Sequence, residues 1–264
     1  MTKIIKDILE EYLKGFYGYG NLGSDFWFIG KEEAGGESQK DIEARLNAWK
    51  ESNKCEVADM YEFHDKIFSY KSPETSTTDL SRLFDNTSRK FKLQKTWAGL
   101  IKLQLAFNEA YDGKNYSIIK KYQSGSLGRF DSPNCLLELF PISSPSSKKF
   151  EISEWSDIEY LKDRKSYKQA LTKIRINKIR KLIQEHKPTV VVFYSTDKEY
   201  LDYWQQIARI SFSGDSKIQL HKKHTVYLKK RENTVYVVIP HPTAFGISNK
   251  FWIEVGQELK KLKE

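Results

Sequence analysis

Residues 188–196 read PTVVVFYST, a nearly continuous apolar run that begins directly after Pro188. The run at Thr234–Ile239, TVYVVI, has the same character and is stopped by Pro240. Runs that are nearly continuous in apolar or β-branched residues are typical of strands covered on both faces, as in a parallel sheet flanked by helices. Both segments are therefore predicted to be central strands of an α/β fold.

Two further strand-like runs and several helical patterns complete the predicted architecture. The strands are Asp25–Ile29 (DFWFI) and Cys135–Phe140 (CLLELF), each bounded by glycine or proline. The clearest helical patterns are those at Thr96–Tyr111, Ser166–His186 and Lys250–Leu262. This alternation predicts one three-layer α/β/α domain over residues 1–264, with a mostly parallel sheet of four to five strands. The fifth strand is expected at Thr225–Lys229, paired with the TVYVVI run.

Three segments are interpreted more coarsely. Residues 4–16 carry Ile, Leu, Tyr and Phe at helical spacing, so they predict a helix of the folded domain rather than a signal peptide. Residues 50–95 are polar and are expected to be irregular, with a loop at residues 70–82. Residues 148–187 are expected to form a basic helical segment.

Composition excludes several classes of protein. The chain has 264 residues, and an aromatic content of 14% argues against disorder despite a mean hydropathy of -0.63. No apolar run approaches the roughly 20 residues of a membrane helix. The two cysteines, Cys55 and Cys135, are too few for a disulfide framework, a zinc knuckle or an iron–sulfur cluster. A cytoplasmic monomer without a metal or a small-molecule cofactor is therefore expected.

The net charge of +9 is concentrated in one segment. Ten Lys or Arg residues lie between Lys162 and Lys187 with only two acids among them, which places +8 of the charge there. Such a stripe attracts polyanions, and nucleic acid is the commonest of these partners. A solvated helix face is an equally simple explanation, and the pattern itself does not separate the two.

Ligands of open α/β sheets collect at the carboxyl ends of the strands, so the residues directly after each run are candidate site residues. GKEEAGG, residues 30–36, places Glu32 and Glu33 after the first strand, where a carboxylate acts as a general base or stabilises a developing cation. A turn whose glutamates cap a helix or face water would give the same letters. His241 follows the last strand between two prolines, and this rigid backbone indicates an aimed side chain.

The four strand ends, taken in order, resemble the motifs of the uracil-DNA glycosylase superfamily. FIGKEEAGG stands where that superfamily has its water-activating loop, and IPHPTAFG stands where it has the motif whose histidine steadies the leaving base. NCLLELFPISSP and PTVVVFYST match the strands and turns between them. The resemblance covers residues 25–262. It implies that fold, no cofactor, and an enzyme that flips a base out of DNA and hydrolyses its N-glycosidic bond.

The resemblance also implies roles for individual residues. Glu32 aligns with the residue that orients the attacking water, Glu33 follows it as a second catalytic candidate, and His241 stabilises the departing base. Phe245 lies in the loop that inserts a side chain into the duplex. The residues expected to contact the substrate are Gly30, Lys31, Gly35, Gly36, Glu138, Phe140, Thr243 and Phe245. Those expected to contact the nucleic-acid backbone are Ser144, Ser146, Lys148, Lys173 and Arg180.

Some positions depart from the family pattern and leave the target base open. No aromatic residue follows GKEEAGG, where several branches stack one on uracil, so Phe130 or Phe140 would have to replace it. Glu33 stands where most branches carry a proline. A pocket without the stacking aromatic would suit a larger, modified base, consistent with a role against phage DNA. Two alternatives stay open: a non-catalytic nucleic-acid-binding member of the same fold, and an unrelated α/β hydrolase of small molecules.

Overall fold

The computed structural model describes residues 3–146, 149–221 and 224–263, and places a mixed β-sheet between helices. The α-helices in chain order are α1 Lys6–Gly15, α2 Gln39–Glu51, α3 Met60–Lys71, α4 Ser76–Phe84, α5 Lys95–Phe107, α6 Tyr116–Gly125, α7 Ile152–Trp155, α8 Arg164–His186, α9 Lys198–Ala208 and α10 Asn249–Lys263. The strands are β1 Gly18–Gly20, β2 Phe26–Gly30, β3 Val57–Ala58, β4 Asn134–Glu138, β5 Val190–Tyr194, β6 Lys217–Leu220, β7 His224–Arg231 and β8 Thr234–Ile239. The helices predicted at the N-terminus and at 96–111, 166–186 and 250–262 correspond to α1, α5, α8 and α10.

The centre of the sheet consists of the four strands that the apolar runs predict. Their order is β4-β2-β5-β8 and all four are parallel. Phe26 of β2 pairs with Asn134 on one side and with Val190 on the other. Every residue of β2, β5 and β8 is buried, which explains why these runs are continuous rather than alternating.

The whole sheet is larger and more mixed than expected. It has eight strands in the order β3-β1-β4-β2-β5-β8-β7-β6. β1 is antiparallel to β4, and β7 is antiparallel to both β8 and β6, so the prediction of four to five mostly parallel strands is wrong. β7 contains the strand expected at 225–229. The unpredicted strands β1, β3 and β6 are two to four residues long, and such short outer segments carry too little pattern to be recognised.

Helices cover both faces of the central strands. Trp27 contacts α8 and its neighbour Phe26 contacts α5, and successive side chains of a strand lie on opposite faces. On the α8 face, the ring of Phe193 stacks on Trp204 of α9 with the centroids 4.9 Å apart. On the other face, α10 packs along α5. The α/β class is therefore correct.

Arg175 of α8 fastens the end of β4 from within the core. Its guanidinium is fully buried and donates to the carbonyl oxygens of Leu139, Glu138 and Phe16 at 2.9, 2.8 and 2.6 Å. The same group lies 3.7 Å from the ring centroid of Tyr17. Part of the basic segment thus holds the strand on which Glu138 stands, instead of facing solvent.

Residues 50–95 are more regular than expected, because they contain β3, α3 and α4. The carboxylate of Asp59 caps α3 by accepting hydrogen bonds from the backbone N–H groups of Tyr61 and Glu62 at 3.0 and 3.1 Å. In α4 the buried residues are Leu80 and Phe84, an apolar stripe narrow enough to be hidden among Ser and Thr. The predictions of an irregular segment, and of a loop reaching residue 82, are therefore wrong.

Among the described residues, length and apolarity are not combined in one helix. α8 has 23 residues, enough in length to cross a bilayer, but basic residues occur along all of it. Within residues 3–146, 149–221 and 224–263, no helix meets both requirements of a membrane span.

Candidate active site at the carboxyl ends of the parallel strands

A cavity of about 400 Å³ lies where the four parallel strands end. Glu138 ends β4, Tyr194 ends β5, His241 follows β8, and the acidic loop follows β2. Open α/β sheets bind ligands at this edge. The predicted site residues that the structure brings together around the cavity are Glu32, Glu33, Gly35, Gly36, Glu138 and His241.

Two glycines let the loop after β2 pack against its neighbours. A Cβ atom on Gly30 would overlap the hydroxyl of Tyr194 and Oε2 of Glu138. Gly36 has a φ of +68°, and a Cβ atom there would collide with the carbonyl oxygen of Ser143. Both glycines are predicted to contact the substrate. They first make room for the protein's own groups, and this packing fixes where Glu138 lies.

Glu33 is held as an anion by its partners. Its Oε2 accepts hydrogen bonds from the Tyr19 hydroxyl and from Nη1 of Arg45, both at 2.8 Å. Nε2 of His64 lies 3.6 Å from Oε1. Burial alone would raise the pKa of Glu33, but Arg45 and His64 outweigh that effect and lower the pKa to about 2. Glu33 is therefore a fixed negative charge whose oxygens are engaged.

Glu32 is paired with Arg164 at the start of α8. Nη1 of Arg164 lies 2.8 Å from Oε1 and 2.7 Å from Oε2, while its Nη2 donates to Oγ of Ser144 at 2.8 Å. Burial raises the pKa of Glu32, and the charges of Arg164, Lys168 and Lys31 oppose that rise. Glu32 is thus oriented by a cation, and its raised pKa makes it a stronger base than an exposed glutamate.

Glu138 has fewer partners than Glu32 or Glu33. The Tyr194 hydroxyl donates to its Oε1 at 2.7 Å, whereas its buried Oε2 has no hydrogen-bond partner in the part of the chain that the structure describes. Burial raises the pKa of Glu138 to about 8, with Glu33 and Glu32 adding to the rise and Tyr194 opposing it. Two acids of one cavity therefore occupy opposite protonation states at neutral pH.

His241 presents a neutral imidazole. The backbone N–H of Thr243 lies 3.3 Å from its Nδ1, and the Thr243 hydroxyl lies 2.9 Å from the same atom. Since Nδ1 accepts from the backbone, the hydrogen of the neutral ring is assigned to Nε2. Burial and the charge of Lys31 lower the pKa of His241, while Asp197 acts in the opposite direction. His241 therefore offers an uncharged hydrogen-bond donor.

Two helices add apolar aromatic rings to the wall of the cavity. Trp97 of α5 and Phe68 of α3 line it, and both are partly buried. Phe140, expected to contact the substrate, does not line this cavity. It is fully buried, and its ring centroid lies 5.6 Å from that of Tyr167 on α8. The prediction for Phe140 is corrected because β4 ends two residues earlier and the chain then turns towards α8. Phe130, the other suggested substitute, is 56% exposed and also lies outside the lining.

Three other predicted substrate contacts lie around the cavity rather than in its wall. Lys31 forms an ion pair with Asp197 at 2.9 Å and lies over the ring of Tyr200. Thr243 positions the histidine and lines a neighbouring cavity of about 350 Å³. Phe245 is fully exposed on the same loop, where an apolar side chain is available to a duplex.

The basic segment does not form a continuous stripe beside the cavity. Its ion pairs to acids are Lys162–Glu159, Arg164–Glu32, Lys168–Glu199, Lys178–Glu56 and Lys181–Glu185. Arg180 donates to the carbonyl oxygen of Gln206 and lines a second cavity with Thr234, the first residue of β8. It therefore lies at the amino ends of the strands, about 24 Å along α8 from Arg164. Arg180 therefore does not lie next to the cavity, and its expected contact with a nucleic-acid backbone stays a prediction.

The other residues expected at the nucleic-acid backbone are scattered. Lys173 is exposed midway along α8, about 14 Å from the start of that helix. Ser144 is buried and accepts a hydrogen bond from Arg164, so it holds the partner of Glu32. Ser146 is exposed, and its carbonyl oxygen accepts from the same arginine at 3.2 Å. Lys148 lies outside the described residues.

Sequence reasoning missed the residues that set the charges and the apolar wall of the cavity. They are Tyr19, Arg45, His64, Trp97, Arg164 and Tyr194. Tyr194 carries a usable signal, since it ends a predicted strand. The others come from a short outer strand and from helices far away in the chain, and nothing in their local sequence marks them as partners of an acid.

Comparison of the chain with protein-family models and with curated proteins gives no match. The resemblance of its strand ends to uracil-DNA glycosylases therefore stays a prediction.

Proposed function

We propose that this protein is an N-glycosidic bond hydrolase that acts on a base flipped out of DNA into the cavity at the strand ends. One observation carries the proposal: the same cavity holds an ionised carboxylate, Glu33, and an uncharged donor, Nε2–H of His241. Breaking a glycosidic bond creates positive charge on the sugar and negative charge on the base. Both kinds of group are therefore required around one substrate.

The acidic loop after β2 serves the sugar. As the C1′–N bond breaks, its electron pair leaves with the base and the sugar becomes oxocarbenium-like. The fixed charge of Glu33 favours that cation. Glu32, oriented by Arg164, takes the proton from the water whose oxygen forms the new bond to C1′. The products are an abasic site and the free base.

His241 serves the base. Its Nε2–H donates to the departing ring as negative charge develops there, and the released base takes a proton from solvent. The contact of Nδ1 with Thr243 fixes the tautomer, and the low pKa keeps the ring uncharged before the bond breaks. Because the imidazole is uncharged, it does not offset the negative charge of the acids that stabilises the sugar cation.

The size and the walls of the cavity fit a flat heterocycle. A volume of about 400 Å³ lies within the roughly 300–1,000 Å³ range of small-molecule sites. Trp97 and Phe68 supply apolar surface for a ring. No side chain of the loop after β2 narrows the cavity as a stacking aromatic would, so modified bases, including those of phage DNA, belong among the candidate substrates. In that case the protein would act in defence.

The net charge of +9 supports a nucleic acid as the substrate rather than a small neutral molecule. Arg164, Lys168 and Lys31 are the cations whose charges act on Glu32, so basic side chains lie next to the acidic loop after β2. We therefore assign the DNA-facing part of the basic segment to the start of α8, and not to Arg180.

The test is incubation with DNAs that carry uracil, hypoxanthine or hypermodified phage bases, followed by alkaline cleavage at abasic sites. We expect wild type to open sites in at least one DNA. Glu32→Gln and His241→Ala should each lower the rate at least about 100-fold, because each removes a group that acts on the breaking bond.

The matched controls are Glu62→Gln and His186→Ala, exposed residues of α3 and α8. They should leave the rate within about two-fold of wild type. Salt-dependent DNA binding without abasic sites in any DNA would reject the enzyme. It would favour the alternative of a non-catalytic nucleic-acid-binding protein.

A further inference from the structure

Glu138 lines the cavity, and its Oε2 is a buried polar atom without a hydrogen-bond partner among the residues that the structure describes. The other buried side-chain atoms that lack a partner among the described residues belong to Tyr12, Ser24, Tyr111, Ser143, Tyr160, His224 and Ser248. None of these residues lines the cavity. Leaving a buried polar atom unpaired costs free energy, so such an atom marks a place where a ligand completes the structure.

The surroundings of Glu138 direct that oxygen to a ligand. Tyr194 donates to Oε1, which leaves Oε2 as the second oxygen of the carboxyl group. Gly30 packs against this oxygen without a side chain of its own. Arg175 is close, yet its guanidinium donates to the backbone carbonyls of Glu138 and Leu139 and not to the carboxyl group. The fold thus places a cation near the acid without pairing the two.

The charged groups around Glu138 favour its protonated form. Glu32 and Glu33 lie on the loop after β2 and are acids, so they repel a further negative charge. Tyr194 on β5 and Arg175 on α8 act the other way, and His241 after β8 lines the same cavity as a neutral ring. Because the Tyr194 hydrogen is donated to Oε1, the carboxyl proton lies on Oε2.

We propose that Glu138 reads the target base through an Oε2–H donor, and therefore selects a neutral ring that presents a hydrogen-bond acceptor, either a carbonyl oxygen or an unprotonated ring nitrogen. This inference rests on the proposed function, since it names what the same cavity selects. An amide in this position would offer its donor at every pH. A carboxylic acid withdraws its donor on ionisation and then repels the acceptor.

Binding of small rings tests this selection without any catalysis. The probes are 7-azaindole, which has an acceptor nitrogen, indole, which has the same shape without it, and cytosine. Affinities are measured by ligand-observed NMR at about pH 6.5 and about pH 9.5, on either side of the midpoint of Glu138. At about pH 6.5 we expect wild type to bind 7-azaindole about ten-fold more tightly than indole. At about pH 9.5 that preference should be lost, and cytosine should bind more weakly than at about pH 6.5.

Two variants separate Glu138 from other glutamates. Glu138→Gln keeps a donor at every pH, so its preference for 7-azaindole should persist at both pH values. Glu62→Gln, an exposed position of α3 outside the cavity, should retain the pH dependence of wild type. In this window Glu33 stays ionised, and Tyr194, whose pKa is raised well above its usual value, stays protonated.

A second readout keeps the proposal testable if Glu138→Gln does not fold. In protein with 13C-labelled glutamate carboxyls, the Glu138 signal should titrate with a midpoint of about 8. That midpoint should shift to a higher pH when 7-azaindole is bound. The assignment of the signal comes from Tyr194→Phe. A midpoint below about 5, a preference that does not change with pH in wild type, or no binding of 7-azaindole would each overturn the proposal.

The two proposals fail separately. If the protein releases a base from DNA but its preference for 7-azaindole over indole does not change with pH, the role of Glu138 is rejected and the hydrolase is retained. A pH-dependent preference without base release from any DNA keeps a base-reading cavity and removes the hydrolase.

Discussion

Two walls of the same cavity each contain a buried carboxyl group, and the two groups are in opposite protonation states. On the Glu33 wall, formed by Tyr19, Glu33, Arg45 and His64, both oxygens have partners and the acid is ionised. On the Glu138 wall, formed by Glu138 and Tyr194 with Gly30 packed against them, one carboxyl oxygen has no partner among the described residues and the acid is protonated at neutral pH. Burial by itself acts to raise the pKa of both acids, so the neighbouring side chains decide which acid is ionised. A fixed charge and a switchable donor are thereby available to one substrate.

Removing the cation of the Glu33 wall should have the largest effect. Arg45→Met leaves the buried carboxylate without its guanidinium and should lower the free energy of unfolding by about 3–5 kcal/mol. Urea denaturation at neutral pH measures the loss. Lys14→Met is the control, because Lys14 pairs with Glu10 on the surface and should contribute below about 0.5 kcal/mol. Equal losses in the two variants would show that the Glu33 wall is not charged.

The Glu138 wall should make stability fall as pH rises. Its pKa in the folded state, about 8, is above the value of 4.5 for a free glutamate, so its stabilising contribution is complete below about pH 4.5 and is lost as pH rises through 8. Glu138→Gln cannot ionise. We expect it to match wild type near pH 5 and to exceed it by about 2–3 kcal/mol near pH 9. Parallel pH profiles of the free energy of unfolding in the two proteins would contradict this assignment.

Filling the space at Gly30 should have a smaller effect that is confined to the Glu138 wall. The Cβ atom of Gly30→Ala would displace the Tyr194 hydroxyl and Oε2 of Glu138. We expect this to lower the free energy of unfolding by about 1–2 kcal/mol, measured by thermal denaturation. Gly125→Ala is the matched control, since no atom lies within 4 Å of a Cβ there and α6 gains a better helix former. An unchanged free energy of unfolding in Gly30→Ala would mean that the side chains of Tyr194 and Glu138 move freely away from the added atom.

The sequence predicts the frame of this site better than its charges. The central strands are predictable because burial on both faces makes β5 and β8 continuous apolar runs. Their parallel order also predicts that Glu32 and His241 approach each other, since parallel strands end at one edge of the sheet. The same reasoning fails for Phe140, because it assumes that β4 continues past Glu138.

The protonation states could not be predicted, because they depend on partners from distant parts of the chain. Arg45 lies on α2 and His64 on α3, and α3 falls within residues 50–95, where an irregular chain was expected. Two adjacent glutamates give no sign that one pairs with Arg45 and the other with Arg164. In the same way, a count of basic residues does not show that Arg175 is buried or that Arg180 lies at the opposite edge of the sheet.

The most direct test of the central claim is the stoichiometry of base release. Wild type and Glu32→Gln are incubated with each DNA of the panel, and free base is measured by mass spectrometry beside abasic sites in the same sample. We predict equal amounts of free base and abasic sites for wild type with at least one DNA, and neither product for Glu32→Gln. Absence of free base with every DNA, or equal release by wild type and Glu32→Gln, would contradict hydrolysis of the N-glycosidic bond in this cavity.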